Sequence, residues 1–309
     1  MRKGSDRMAK ESLPQGTIER LIREKALMPP PFLAFPAYGR YSMGWRMGSG
    51  EGYVMRFGAW LKRFCEEDQR IYKSLFPAPI TLFGYWSDDH GRSEFPEEYE
   101  HGKLCSYRWS LTGSTKYDMK WLENALKTEK TLRFRFFENG IPYGRRSVDP
   151  CSIWARSPFT PTCFPQEEGM SSAADALIYC KALFTGKAVL IRQTRERLGD
   201  PDGIRAMAKK LAPYTDEEWK RIFPDILALS QYFKFSVNDD FRNFLLSSEE
   251  DVFFCMDPDD PVLGCRIDTD PATGAQAIVG ENLLGFAIMN VREEIRKIYG
   301  NLSLCENFR

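Results

Sequence analysis

The carboxy-terminal half of the chain contains a succession of segments in which apolar residues recur at the spacing of an α-helix. We predict helices over residues 172–185, 187–197, 201–212, 215–230, 237–248 and 281–299. Residues 131–138, which precede them, alternate in character as a strand does. Because Phe134 and Phe136 alternate with Arg133 and Arg135, we expect one face of this strand to be buried and the other to be basic. The predicted fold class is α+β, predominantly helical with a few strands.

Residues 1–130 show weaker patterns, and we treat them as an amino-terminal extension of a domain that covers residues 131–309. Within the extension we predict helices over residues 18–26, 51–76 and 116–128, a strand over 80–86 and a charged surface insertion over 87–102. The glycine-rich segment 48–52 has no apolar strand before it. It therefore favours a flexible loop over a phosphate-binding loop.

The ionisable residues argue against several classes of function. Lys plus Arg and Asp plus Glu number 43 each, and the resulting net charge of zero disfavours a basic nucleic-acid surface. The chain has two histidines, His90 and His101, and eight cysteines without a C-x-x-C pair. Because zinc sites need closely paired Cys or His ligands, we expect no metal site, and we expect no cofactor. Acid–base chemistry would then come from Asp, Glu, Lys or Tyr.

The distribution of apolar residues also bears on location. No apolar run reaches the roughly 18 residues that a membrane helix needs. The first 17 residues are polar and charged and do not have the pattern of a signal peptide. We therefore expect a cytoplasmic protein without a membrane partner.

Several short motifs, each present once, follow one another along the carboxy-terminal half. They are Cys151-Ser-Ile-Trp154 with Ser157-Pro-Phe-Thr160, Tyr179-Cys-Lys181-Ala182, Asp216-Glu-Glu-Trp219, Tyr232-Phe-Lys234-Phe235-Ser236, Pro258-Asp-Asp260, and Gly280-Glu-Asn282-Leu-Leu-Gly285 with Arg292. Each motif is weak alone, but their order and spacing resemble the signatures of the NADAR superfamily of N-glycosidase-like domains. The resemblance covers roughly residues 133–296 and says little about residues 1–130.

The resemblance implies a mainly helical α+β domain around a pocket. It also implies hydrolysis of N-glycosidic bonds, in ribosylamino-pyrimidines of the riboflavin pathway or between ADP-ribose and a nucleobase. Such cleavage passes through a sugar with positive charge at its anomeric carbon, which a neighbouring carboxylate stabilises. On this basis the predicted catalytic residues are Asp175, Trp219 and Asp260. The predicted substrate-binding residues are Trp154, Lys181, Lys234, Phe235 and Asn282.

This chain departs from the family pattern at positions that matter for catalysis. The family's catalytic Glu falls on Ala174, and Asp175 occupies the next position. A shifted helix start could bring Asp175 into the place of the Glu, whereas a regular helix would turn its carboxylate away by about 100°. The family's Trp-Gly is Leu263-Gly264 here, its preceding acidic residue is Cys255, and its Gly-Arg is Ala208-Lys209.

Two hypotheses about the function of this domain follow, and a third is that the protein is a scaffold whose amino-terminal extension binds another protein. The first is an enzyme that hydrolyses a C–N bond of N-glycosidic type in a nucleoside, nucleotide, ADP-ribose-like or other nitrogenous small molecule. The alternative is a catalytically impaired module that binds a nucleotide or ADP-ribose. In either case the expected partner is a small molecule with a nitrogenous base or a phosphate. The sequence does not exclude a modified nucleobase as the ligand. Structural roles also remain open: core packing for Trp154 and Trp219, a turn cap for Asp260, and surface or salt-bridge positions for the lysines.

Overall fold

The structure is a computed structural model that describes residues 12–38, 42–82, 85–86, 109–128, 131–140, 148–160, 169–215, 217–274 and 276–306. Its contacts divide the chain into two compact units. The first lies within residues 1–92 and 297–309, and the second within residues 93–296. The domain boundary at residue 130 stays a prediction. The surface insertion predicted over residues 87–102 lies outside the described residues.

The first unit is built from helices α1 (Thr17–Glu24), α2 (Pro31–Ala34), α3 (Ser49–Leu61) and α4 (Glu66–Leu75). The single helix predicted over residues 51–76 is divided, because Cys65 adopts an extended conformation between α3 and α4. The predicted loop at residues 48–52 is also wrong, since α3 already begins at Ser49.

The strand predicted over residues 80–86 is wrong as well over its described residues, 80–82 and 85–86. Ile80–Leu82 forms a turn of 3-10 helix, in which Ile80, Thr81 and Leu82 are all buried. A strand would have placed the middle side chain on the opposite face from its neighbours. A tight helical turn instead packs three consecutive side chains into the interior.

The second unit contains the helical succession that the sequence predicts. After α5 (Trp109–Thr112) and α6 (Met119–Thr128) come α7 (Ala173–Phe184), α8 (Ala188–Arg195), α9 (Pro201–Leu211), α10 (Glu217–Val237), α11 (Asp239–Ser247) and α12 (Leu283–Tyr299). The six predicted carboxy-terminal helices are thus confirmed, with α10 extending further than predicted. Every residue of α10 from Asp225 to Ser236 is buried, so surrounding contacts continue this helix beyond its internal Pro224.

Two small sheets accompany these helices. β1 (Phe134–Phe137) pairs in parallel with β2 (Val252–Cys255), and β3 (Arg266–Thr269) pairs antiparallel with β4 (Gln276–Val279). These elements confirm the α+β, predominantly helical class. In the part of the chain that the structure describes, no helix is both long and apolar enough to cross a bilayer.

The predicted burial of the two β1 faces is wrong. Phe134 and Phe136 are 44% and 51% exposed. The arginine face is held instead by charge, since Arg133 Nε lies 3.1 Å from Asp251 Oδ1 and Arg135 Nη1 lies 3.8 Å from Asp251 Oδ2. The alternation correctly predicts a strand, but Phe137, which lies on the same face as the two arginines, is buried, so this face and not that of Phe134 and Phe136 meets the protein.

Candidate functional site

The second unit contains a cavity of about 660 Å³. Its walls come from α7, α9 and α10, from the segment around Trp154, from the turn that includes Asp260, and from the start of α12. Of the residues that the structure describes, three aromatic side chains line it: Trp154, Trp219 and Phe223. Four charged side chains from the same described part of the chain line it as well: Lys181, Lys220, Asp260 and Glu281. A cavity of this size with aromatic walls and a few charged groups is typical of a small-molecule site.

Lys181 and Trp219 form the best-defined pair in the cavity. The ammonium group of Lys181 lies 5.6 Å from the centre of the Trp219 ring, a cation–π contact. Trp219 is only 6% exposed and packs beside Phe184 and Phe223, with ring centres 5.5 and 5.6 Å away. Burial lowers the pKa of Lys181, because desolvation disfavours its charged form. The predicted pocket lysine and pocket tryptophan are therefore in contact.

Asp260 lines the cavity and also caps a turn. Its Oδ1 accepts hydrogen bonds from the N–H groups of Val262, at 3.1 Å, and Leu263, at 3.0 Å. Its carbonyl oxygen accepts a further bond from the N–H of Gly264, at 2.8 Å. An aspartate that binds the amides of following residues is a common turn-forming arrangement. The cap fixes the orientation of this carboxylate at the cavity wall.

Trp154 is placed by a hydrogen-bonded segment. Asn139 Oδ1 accepts a bond from the N–H of Ile153 at 3.1 Å, and Ser152 Oγ accepts one from the N–H of Trp154 at 3.2 Å. The carbonyl of Ile153 accepts a bond from the N–H of Ala174, in the first turn of α7. Trp154 is half-buried beside α7 and forms part of the cavity wall.

Asp175 is not among the described residues that line this cavity. It is 2% exposed, and its Oδ2 accepts hydrogen bonds from the N–H groups of Ser171, at 2.8 Å, and Gly199, at 3.1 Å. Burial raises the pKa of Asp175, and these backbone hydrogen bonds oppose the rise. Ser172 caps α7, so the helix begins regularly at Ala173. Ala174 itself is fully buried.

Lys234 and Phe235 lie in the interior, on α10. Lys234 is fully buried, and its Nζ donates a hydrogen bond to the carbonyl oxygen of Ser152 at 3.0 Å. Burial lowers the pKa of Lys234 to about 7. Phe235 is fully buried as well, with its ring 4.7 Å from that ammonium nitrogen. Neither residue is among the described residues that line the cavity.

Asn282 organises the chain immediately before α12. Its Oδ1 accepts a hydrogen bond from the N–H of Cys255, and its Nδ2 donates one to the carbonyl of Phe253, both at 2.9 Å. It is fully buried, with a φ of +48°. Its amide group therefore joins the start of α12 to β2 and, in the described part of the chain, does not line the cavity.

Two charged residues of the cavity were not assigned a role from the sequence. Lys220 directly follows Trp219 and forms an ion pair with Glu217 at 2.7 Å. Glu281 lies inside the Gly280-Glu-Asn282 motif, and its main-chain N–H donates to the carbonyl of Pro261 at 2.7 Å. Each lies next to a residue of a family motif, and this was the one feature of the sequence that could have indicated a role in the cavity. No spacing rule distinguishes these two residues from charged residues that are exposed to solvent.

Of the eight predicted site residues, the structure brings together Trp154, Lys181, Trp219 and Asp260, whose roles stay predictions. Asp175, Lys234, Phe235 and Asn282 lie elsewhere in the second unit. Over the described ranges, no group of three His, Cys, Asp or Glu side chains could hold a metal ion.

Comparison with known proteins identifies this region. A family model described as the NADAR domain matches residues 143–296. The chain contains a NADAR domain. An NMR structure of the E. coli protein YbiA is similar to it, at 16% identity and a TM-score of 0.38, over 55% of this chain and 89% of that chain. The search of curated proteins finds no match. The NADAR domain supports a nucleotide-related role, and its matched range includes every described residue that lines the cavity.

Proposed function

We propose that the NADAR domain binds a nucleotide-like small molecule, with a nitrogenous ring and a phosphate, in the cavity beside Trp219. The proposal is carried by one observation, the contact between Lys181 and Trp219 at the cavity wall. An aromatic face offers a stacking surface for a planar ring, and an ammonium group is a compact donor for phosphate oxygens.

Binding is favoured over hydrolysis by the start of α7. Ala174, which holds the position of the family's catalytic Glu, has no ionisable group and is fully buried. The neighbouring carboxylate of Asp175 is occupied by the N–H groups of Ser171 and Gly199. Among the described residues of α7 that line the cavity, Leu177, Ile178 and Lys181, none can activate water as a carboxylate does.

A second candidate is the N-glycosidic hydrolase, favoured by the carboxylates of Asp260 and Glu281 at the cavity wall. In that reaction water attacks the anomeric carbon, and the C–N bond breaks with its electron pair passing to the base nitrogen. A carboxylate takes the proton from water, and a proton is returned to the departing base.

Calorimetric titration of the full chain with ADP-ribose and AMP tests the proposal. We expect saturable binding that Lys181→Met weakens about tenfold, while Lys187→Met, on an exposed lysine, serves as the matched control. Mass spectrometry of the same mixtures detects free base if hydrolysis occurs. Saturable binding without product supports the binding function, and product formation supports the hydrolase. Absence of both would contradict the two candidates.

A further inference from the structure

The four charged side chains that line the described cavity differ in the protein groups that each one pairs with. Lys220 is paired with Glu217, Asp260 Oδ1 is held by two main-chain N–H groups, and Lys181 contacts the Trp219 ring. The carboxylate of Glu281, in contrast, forms no hydrogen bond or ion pair with any residue that the structure describes. Among the described residues, Asp260 keeps one carboxylate oxygen, Oδ2, available, whereas Glu281 keeps both of its oxygens available to a ligand.

The main chain of Glu281 is held firmly at the cavity. Its N–H donates to the carbonyl of Pro261 at 2.7 Å, and the next N–H, of Asn282, donates to the carbonyl of Gly264 at 3.0 Å. Gly280, just before it, has a φ of +118°, and a Cβ there would lie 2.6 Å from the carbonyl oxygen of Gly264. This close approach requires glycine, because any side chain would collide with the backbone. The carboxylate thus projects from a fixed point.

The surroundings of Glu281 disfavour an anion. The first N–H groups of α12 could bind phosphate in principle. Here those of Leu283 and Leu284 already donate to the carbonyls of Val262, at 3.1 Å, and Leu263, at 3.0 Å. Asp260 contributes a second negative charge to the same wall of the cavity. A phosphate is therefore better placed toward Lys181, which leaves this wall for hydrogen-bond donors of the ligand.

We infer that Glu281 is a specificity-determining residue that accepts hydrogen bonds from polarised N–H or O–H groups of the ligand. This inference rests on the proposed function and adds to it the chemistry by which the end of the ligand opposite the phosphate is recognised. A nucleotide offers two such donors, an amino group on the base and the hydroxyl groups of the ribose. A carboxylate acceptor makes a charge-assisted hydrogen bond with either donor, which is stronger than a neutral one.

Matched nucleotides distinguish the two sources. AMP is compared with purine riboside 5′-monophosphate, which lacks the amino group, and with 2′-deoxy-AMP, which lacks one hydroxyl group. Calorimetric titration of the full chain should show about a tenfold preference for AMP over one of these two. Glu281→Gln, which keeps the size of the side chain and removes its charge, should abolish that preference.

Glu218→Gln is the control, because Glu218 is an exposed carboxylate that does not line the cavity. Thermal unfolding of both variants establishes that they fold as the natural chain does. Equal preferences in the natural chain and in Glu281→Gln, or no preference in either, would overturn the inference alone. If none of the three nucleotides binds, the proposed function fails and the inference fails with it.

Discussion

The carboxylate of Asp175 accepts a hydrogen bond from the main-chain N–H of Gly199, 24 residues later in the chain, at 3.1 Å. The same oxygen accepts a second bond, from the N–H of Ser171 at 2.8 Å. Together these bonds tie the start of α7 to the turn that precedes α9. Gly199 has a φ of +83°, and a Cβ at this position would lie 3.0 Å from Ser171 Oγ. Asp175, one of the three residues predicted to be catalytic, thus has a structural role.

Replacing Asp175 by alanine should therefore lower stability. The change leaves two main-chain N–H groups without their acceptor in a buried place, at a cost of about 1–3 kcal/mol each. We expect the free energy of unfolding, measured by urea denaturation, to fall by about 2–4 kcal/mol. Asp202→Asn, at an exposed position of α9, is the control. A variant of unchanged stability that had lost ligand binding or turnover would instead assign Asp175 to the site.

Lys234 should make stability depend on pH. Burial lowers its pKa from 10.5 to about 7, so between these values the unfolded chain binds more protons than the folded one. Under that condition the free energy of unfolding rises as the pH rises through this window. From pH 7 to pH 9 the natural chain should gain about 2 kcal/mol relative to Lys234→Met.

Urea denaturation of both proteins at pH 7, 8 and 9 measures this difference, and other titrating groups cancel in the comparison. Parallel pH profiles for the two proteins would show that Lys234 keeps its proton in the folded state. In that event the hydrogen bond to the carbonyl of Ser152, rather than neutralisation, would be what makes its burial tolerable.

Asn282→Ala should destabilise the second unit. The change removes the acceptor of the Cys255 N–H and the donor to the Phe253 carbonyl. It also places alanine at a φ of +48°, a conformation that asparagine tolerates better. We expect a loss of about 2–4 kcal/mol in the free energy of unfolding. Asn243→Ala, at an exposed position of α11, should change stability by less than about 0.5 kcal/mol. An equal loss in both variants would contradict the proposed role of the Asn282 amide.

Two substitutions of Asp260 distinguish its role as a turn cap from a role in catalysis. Asp260→Asn keeps an oxygen that can accept from the N–H groups of Val262 and Leu263, whereas Asp260→Ala removes it. We expect Asp260→Ala to lower the melting temperature, at a cost of about 1–2 kcal/mol, and Asp260→Asn to leave it nearly unchanged. If Asp260→Asn retains nucleotide binding, the carboxylate acts there as a turn cap. Loss of product formation in this stable variant would assign it a catalytic role.

The spacing of apolar residues was sufficient to predict the secondary structure of long segments in which a single helical period continues. The six carboxy-terminal helices follow the spacing of their apolar residues, because each helix must bury one face. The same spacing did not predict the short elements. Ile80–Leu82 has the composition of a strand yet forms a helical turn, and β3 with β4 was not predicted at all. Segments of three or four residues carry too few positions for a period to be recognised.

The family and the fold class could be recognised from the ordered motifs of the sequence alone, and four of the eight site residues predicted from those motifs line the cavity. The role of each polar group could not be predicted from the motifs. Asp175 and Asn282 satisfy main-chain groups distant in sequence, burial lowers the pKa of Lys234, and the carboxylate of Glu281 has no partner among the described residues. Hydrogen bonding and desolvation depend on neighbours that folding brings together from distant parts of the chain, and local spacing does not specify those neighbours.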